Sequence, residues 1–287
     1  MKKAYIFAGI SIFLWSTVAV MAKLLLNSLN NFQVLWVSAF FSGVALIVYT
    51  IYSGTIREIK AYTFKDYIIS ALIAFPGTCL YYVFFYAGSD LMPASQAFIV
   101  NYLWPIMSVV FACIILKEKM TLKKAIAIFM SFFGVVIVTG SSISSFDKSV
   151  MLGTAFCVLG AVSYGIFTAV NKKMSYSKPI TMMIGFFEAF IITTVINFIN
   201  RDLFLPDLMQ TLGFMWNGIM TMAVASTLWL VALTMGNTAK ISNLAYITPF
   251  LSLVWTALIL HEPIKLSSVI GLAVIVLGIF IQIKDKK

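Results

Sequence analysis

Residues 94–118, ASQAFIVNYLWPIMSVVFACIILKE, and residues 238–262, TAKISNLAYITPFLSLVWTALILHE, decide the fold of this 287-residue chain. Each is an apolar run long enough to cross about 30 Å of hydrocarbon at roughly 1.5 Å per residue. Each carries a proline near its middle, Pro105 or Pro249, and ends on a glutamate, Glu118 or Glu262. Lipid offers no partner to a backbone amide, so a spanning run must be a helix or a closed-barrel strand. The two-residue alternation of a barrel strand is missing from both. Each is therefore predicted to be a membrane helix interrupted at its proline.

The rest of the chain reads the same way. Hydrophobic residues make up 61% of it and charged residues 10%, far from the roughly one-quarter charged of a soluble domain. Apolar runs predict spans at 4–24, 33–52, 67–87, 94–116, 123–140, 151–170, 179–198, 212–235, 241–260 and 267–283. Lys2 and Lys3 precede an apolar run that reaches Leu26, and similar runs follow, so the start reads as an uncleaved first span. The expected fold is an all-α membrane protein of ten transmembrane helices.

Net charge +10 does not indicate a nucleic-acid partner, because the lysines sit in short loops between apolar runs. With the N-terminus placed inside, sixteen of the twenty basic residues fall on cytoplasmic segments, from Lys2 and Lys3 through Lys172, Lys173, Lys178 and Lys240 to Lys284, Lys286 and Lys287. Lys23, Lys148, Arg201 and Lys265 are left outside. Both termini are expected in the cytoplasm, in a multi-pass inner-membrane protein. Adding or losing one span would destroy the split.

A shift of 144 residues lays the fourth and fifth spans on the ninth and tenth without a gap. Tyr102 meets Tyr246, Pro105 meets Pro249, Ser108 meets Ser252, Glu118 meets Glu262, Leu122 meets Leu266 and Gly134 meets Gly278. Five spans per copy turn the second copy upside down. The expected organisation is one inseparable membrane domain of two inverted five-helix repeats (5+5), residues 1–143 and 149–287, hinged at the polar stretch 140–149. Inverted repeats recur in secondary transporters.

A mid-helix proline frees the carbonyl four residues back, here those of Asn101 and Ala245. Bare carbonyls at membrane depth need protein or a hydrated cavity over them. The matched pair Pro105 and Pro249 therefore points to helix breaks around a central site, with plain kinking as the alternative; Pro76, which has no repeat partner, reads as a kink. Thr238, Ser242, Tyr246, Pro249, Ser252 and Thr256 form one polar stripe on the ninth span, serving either helix packing or a cavity wall. Tyr82, Tyr102, Tyr164 and Tyr246 each carry a mid-span hydroxyl that needs a partner.

Glu188 is the one acid deep in an apolar run and should face the protein interior. It either binds a substrate amine or a proton, or is a protonated group satisfied by a neighbouring helix. Lys23 either snorkels to the interface or meets a substrate carboxylate. Cys79, Cys113 and Cys157 lie inside apolar runs with no CxxC spacing, so neither a disulfide framework nor a metal site is expected. His261-Glu262 opens like a zinc-protease motif, but the chain has no second histidine. No catalytic constellation is visible, so an enzyme is not expected, and no cofactor is implied.

These residues resemble the EamA family of the drug/metabolite transporter superfamily. The resemblance rests on Asn101-Tyr102-Leu103-Trp104-Pro105 leading into Leu116-Lys117-Glu118, on Pro249 through Leu260-His261-Glu262-Pro263, on Leu14-Trp15-Ser16 and on Ser163-Tyr164. It covers nearly the whole chain, and the Asn-Tyr-Leu-Trp-Pro run is similar to the aromatic amino acid exporters. It implies alternating-access export of amino acids or related metabolites, with a site around the third, fourth, eighth and ninth spans. The expected pocket is mostly uncharged, with Trp15, Tyr82, Asn101, Tyr102, Tyr164, Glu188, Ser242 and Tyr246 as substrate contacts. Lipid or amphiphile translocation is the runner-up, ahead of a receptor or assembly role. The expected partners are a small-molecule substrate, the lipid bilayer and protons, with no nucleic acid.

Overall fold

The structure is a computed structural model that describes residues 2–144, 147–235 and 244–283. Thr238, Lys240 and Ser242, part of the 140–149 stretch, and Lys284, Lys286 and Lys287 lie outside the described residues. Every regular element among the described residues is helical. In chain order α1 is Lys2–Leu26, α2 Asn31–Tyr52, α3 Phe64–Leu91, α4 Ala94–Ile115, α5 Leu122–Ser144, α6 Lys148–Lys173, α7 Lys178–Asn200, α8 208–235, α9 Ala245–Ile259 and α10 Leu266–Ile283. Helices α1 to α7 are long and apolar enough to cross a membrane, while α9 and α10 are shorter apolar helices. Large apolar side chains cover the outside, among them Leu72, Phe129, Ile191 and Leu258. Only a lipid surround makes such a surface stable.

The helices overrun the predicted spans because their first turns are polar and were not counted as apolar. In α3 the Thr63 side chain accepts the Asp66 amide while Asp66 accepts the Thr63 amide, so the helix starts three residues before the apolar run. A second such box, Asp207 with Gln210, starts α8. The two boxes stand 144 residues apart, as does much else in the backbone. A π-helical stretch Pro76–Leu80 interrupts α3, and another, Trp216–Val224, interrupts α8 over the equivalent residues. Pro76 thus has a structural counterpart that contains no proline. Helix α4 breaks at Tyr102 and Leu103 and α9 begins with a 3-10 turn at Ala245–Ile247, each just ahead of its proline.

The chain leaves α4 and α9 through matching turns. Lys117 and His261 both take left-handed backbone angles, φ 56° and 55°. The amides of Glu118 and Glu262 reach back to the carbonyls of Ala112 and Thr256, both at 3.3 Å. This six-residue closure satisfies carbonyls that a helix end would otherwise leave bare.

Packing follows the same register. The Phe187 ring of α7 lies on Gly43 of α2, where a built Cβ would sit 3.0 Å from the ring; 43 and 187 are each other's equivalents. Helices α5 and α10 approach through glycine. A Cβ on Gly134 would lie 2.7 Å from the Gly271 carbonyl oxygen, and one on Gly278 3.0 Å from that of Ala127. The first contact becomes the second when the shift is applied. Small residues at such crossings bring helix backbones close enough for dispersion to hold them in lipid.

Candidate functional site

A cavity of about 330 Å³ lies where the two breaks meet, walled by α1, α3, α4, α6, α7, α8 and α9. Residues at equivalent places in the repeat face it in pairs: Tyr82 with Ser226, Asn101 with Ala245, Trp104 with Thr248. Five of the sequence-predicted contacts line it, namely Trp15, Tyr82, Asn101, Tyr102 and Tyr164. Two others, Tyr246 and Glu188, do not join them. Tyr246 packs its ring against Phe280 at 5.0 Å, Glu188 lies elsewhere, and the eighth, Ser242, is outside the described residues.

The break in α9 is closed by the other half of the chain. Tyr102 of α4, 4% exposed, donates its hydroxyl to the Ala245 carbonyl at 2.5 Å. That is the acceptor Pro249 leaves without a helical amide, and the backbone amide of Thr248 also points to it. Pro105 and Pro249 themselves stand in the first turns of the helices that follow the breaks, where a missing N–H costs nothing, and neither lines the cavity. Their part is to place the breaks.

Aromatic rings form one wall. Tyr81 stands 4.7 Å from Tyr82 and 4.9 Å from Tyr164, and Tyr164 stands 5.2 Å from Trp104, centroid to centroid. Trp15 and Trp229 face each other at 5.3 Å. Trp15 is set by the kink after it: Trp255 donates its indole N–H to Ser16 and Trp216 donates to Thr17, both at 2.9 Å. Asn101 donates its amide to the Tyr81 hydroxyl at 2.8 Å. Its own Oδ1 is buried with no partner in the protein, and so is Oδ1 of Asn171 further down the wall. Buried oxygens of this kind are costly unless a solute or water completes them.

The cavity differs from the expected uncharged pocket at one end, where Lys172 and Lys178 line it. The Lys172 side chain is 67% exposed, so the cavity meets solvent here. Lys178 is tied down by the carbonyls of Asn171 and Met174. Lys172 donates to Glu118 at 3.1 Å and Lys124 does so at 3.3 Å. The bond from Lys172 leads in holding the Glu118 carboxyl below the usual carboxylate range. Among the described residues no carboxylate lines the cavity. Sequence reasoning assigned these lysines to topology alone and left Ser226 and Trp229 out, although the shift from Tyr82 leads directly to Ser226.

Lys23 and Glu188 have other surroundings. Lys23 Nζ donates to the carbonyls of Ser89, Asp90 and Met92 at 2.8, 3.3 and 3.3 Å, so it neither snorkels freely nor faces a cavity; it caps the end of α3. Glu188 is half-buried in α7, and its Oε2 has no partner among the described residues. One turn earlier, Gly185 packs on Ala74 and on Thr78, the latter within the π turn of α3, so closely that a Cβ there would meet both.

Comparisons with known proteins agree with this architecture. An uncharacterized transporter of Clostridium kluyveri is 25% identical over 100% of this chain and 95% of its own length. One of Archaeoglobus fulgidus is 27% identical over 73% and 75%. An S-adenosylmethionine uptake transporter of Rickettsia prowazekii is 24% identical over 66% of this chain and 62% of its own. A crystal structure superimposes with a TM-score of 0.70 over 98% of this chain and 96% of that one, at 19% identity, and so shares the fold. The EamA-like transporter family model matches twice, over residues 2–140 and 151–283. With both matches together spanning nearly all of it, the chain is a multi-pass membrane protein that belongs to the EamA-like transporter family and is a small-molecule transporter, not an enzyme.

Proposed function

We propose that this protein moves amino acids or amino-acid-derived solutes across the cytoplasmic membrane by alternating access, with export as the working direction. Ten crossings in two antiparallel five-helix halves carry the cavity, and both termini face the cytoplasm. The observation that carries the reading is the cavity at the twin breaks, lined by residue pairs from equivalent places in the two halves. The double family match supports the duplication. An odd number of crossings per copy makes the halves antiparallel, and the basic residues favour the Lys172 and Lys178 end as the cytoplasmic one.

Chemistry narrows the solute. Tyrosine and tryptophan faces suit planar rings and cations, while Asn101 and Asn171 offer acceptors to an amine. The lysines at the mouth suit a carboxylate. An α-amino acid bearing an aromatic side chain meets all three, and so does S-adenosylmethionine, with its adenine ring and sulfonium charge. The Rickettsia relative favours the second, uptake reading. Glu188 is the group we assign to proton coupling, because it is a mid-span acid with an unpartnered oxygen, one turn from Gly185, which packs on the irregular turn of α3.

Proteoliposomes loaded with radiolabelled aromatic and aliphatic amino acids, or with S-adenosylmethionine, test this with and without a pH gradient. Movement of one of these classes above protein-free vesicles, lost in Trp104→Ala and Tyr164→Ala, is expected. No movement of any of them would overturn the assignment to amino-acid-derived solutes.

A further inference from the structure

The cavity has an open end at Lys172, and the opposite end is held shut by a contact that none of the site chemistry uses. Glu262 Oε1 accepts the Ala94 amide at 2.7 Å, and Oε2 accepts the Ser95 amide at 3.0 Å and the Ser95 hydroxyl at 2.7 Å. Ala94 is the first residue of α4, so the carboxylate takes up first-turn amides that have no acceptor within the helix, at its positive end. The glutamate comes from the turn after α9 and its target from the start of α4, 167 and 168 residues away in sequence. Below the clasp, Ala94 to Leu103 are all buried. Lys23 fastens the preceding corner, Ser89 to Met92, to α1.

The equivalent glutamate, Glu118, stands at the other end of the cavity; the places equivalent to Ala94 and Ser95 are Thr238 and Ala239, outside the described residues. Glu118 is delivered by the same left-handed turn and the same six-residue closure, yet it rests on Lys124 and Lys172 beside the open mouth. One backbone device thus appears twice with one carboxylate engaged on a helix start and the other on mobile-length lysine side chains. The engaged one is at the closed end. From this clasp, set on a buried helix start away from the open mouth, we infer that Glu262 is a latch: its grip on the first turn of α4 holds the end of the cavity opposite Lys172 closed, and its release lets that end open. The inference rests on the alternating-access reading but needs no solute.

Its test is a distance. Spin labels at Asp90→Cys and Lys265→Cys, both exposed, span the clasp in a chain whose Cys79, Cys113 and Cys157 are replaced by alanine. Double electron–electron resonance should give one dominant distance for this parent. Glu262→Ala should raise the ratio of a longer component by about tenfold, on the scale of hydrogen bonds lost from a charged group. Glu262→Gln and Ser95→Ala, which keep part of the clasp, should raise it less and guard against a misfolded Ala variant. Glu118→Gln, at the open end, should leave the distribution unchanged. Superimposable distributions for parent, Glu262→Gln and Glu262→Ala would overturn the latch, and so would equal broadening in Glu118→Gln. Because no solute is present, failed transport in vesicles bears on the function alone, and failed broadening on the latch alone.

Discussion

If the Tyr102 hydroxyl is there to satisfy the carbonyl that Pro249 strands, its worth must depend on Pro249. Tyr102→Phe removes one buried hydrogen bond and leaves the ring contacts with Phe98 and Trp104 in place, both at 6.3 Å. A buried hydrogen bond contributes about 0.5–1.5 kcal/mol net, and an acceptor left wholly bare costs about 1–3 kcal/mol. The Ala245 carbonyl keeps the Thr248 amide, so the lower range applies and about 1 kcal/mol is expected. Thermal unfolding in detergent should register this as a midpoint lower by roughly 2 °C for a chain of this size. Pro249→Ala restores an N–H that can reach Ala245 from four residues on. In that background Tyr102→Phe should cost close to nothing, giving a coupling of about 1 kcal/mol in the double-mutant cycle. Equal losses in both backgrounds would refute the account, because the hydroxyl would then be serving something other than the orphaned carbonyl.

The same structure makes three shorter predictions. Gly134→Ala puts a methyl group 2.7 Å from the Gly271 carbonyl oxygen and should cost about 1–3 kcal/mol in unfolding experiments, whereas Gly9→Ala, with nothing within 4 Å, should gain about 0.5–1 kcal/mol. A stable Gly134→Ala chain would mean that α5 and α10 are further apart than described. Glu188→Gln should leave solute exchange in proteoliposomes active but remove its response to a pH gradient, and an unchanged response assigns Glu188 a structural role. Glu118, whose carboxyl Lys172 holds below the usual range, stabilises the fold above the unfolded carboxylate value of about 4.3, and that stability is lost as pH falls through the lower folded value. Scans at falling pH should show it in the wild type and not in Glu118→Gln, by a small amount that salt reduces further, since the Glu118 side chain is 38% exposed.

The parts of this protein that were legible in the sequence are those where the solvent dictates the residue. Lipid forces long apolar helices, so the spans could be read to within a few residues, except where capping boxes at Thr63 and Asp207 extend a helix through polar turns. Tyrosines held at mid-span by their hydroxyls led to the cavity in the cases of Tyr82, Tyr102 and Tyr164. Burial cost demanded an interior place for Glu188 without saying which interior, and the cavity lining does not include it. The π stretch of α8 carried no signal, since the residue at the place of Pro76 is Met220. Lys172 and Lys178 were assigned to topology, yet the same charges line the cavity mouth, and nothing prevents one lysine from serving both ends. Glu118 and Glu262 mark the deeper boundary. Residue type, neighbouring sequence and backbone turn are alike for the two, and one grips a helix start while the other rests on lysines. Their partners already differ in the sequence, because the places equivalent to Lys124 and Lys172 hold Ser268 and Ser28. If the cavity turns over as proposed, the repeated glutamate marks both of its ends, while the groups that hold each one come from residues the repeat does not share.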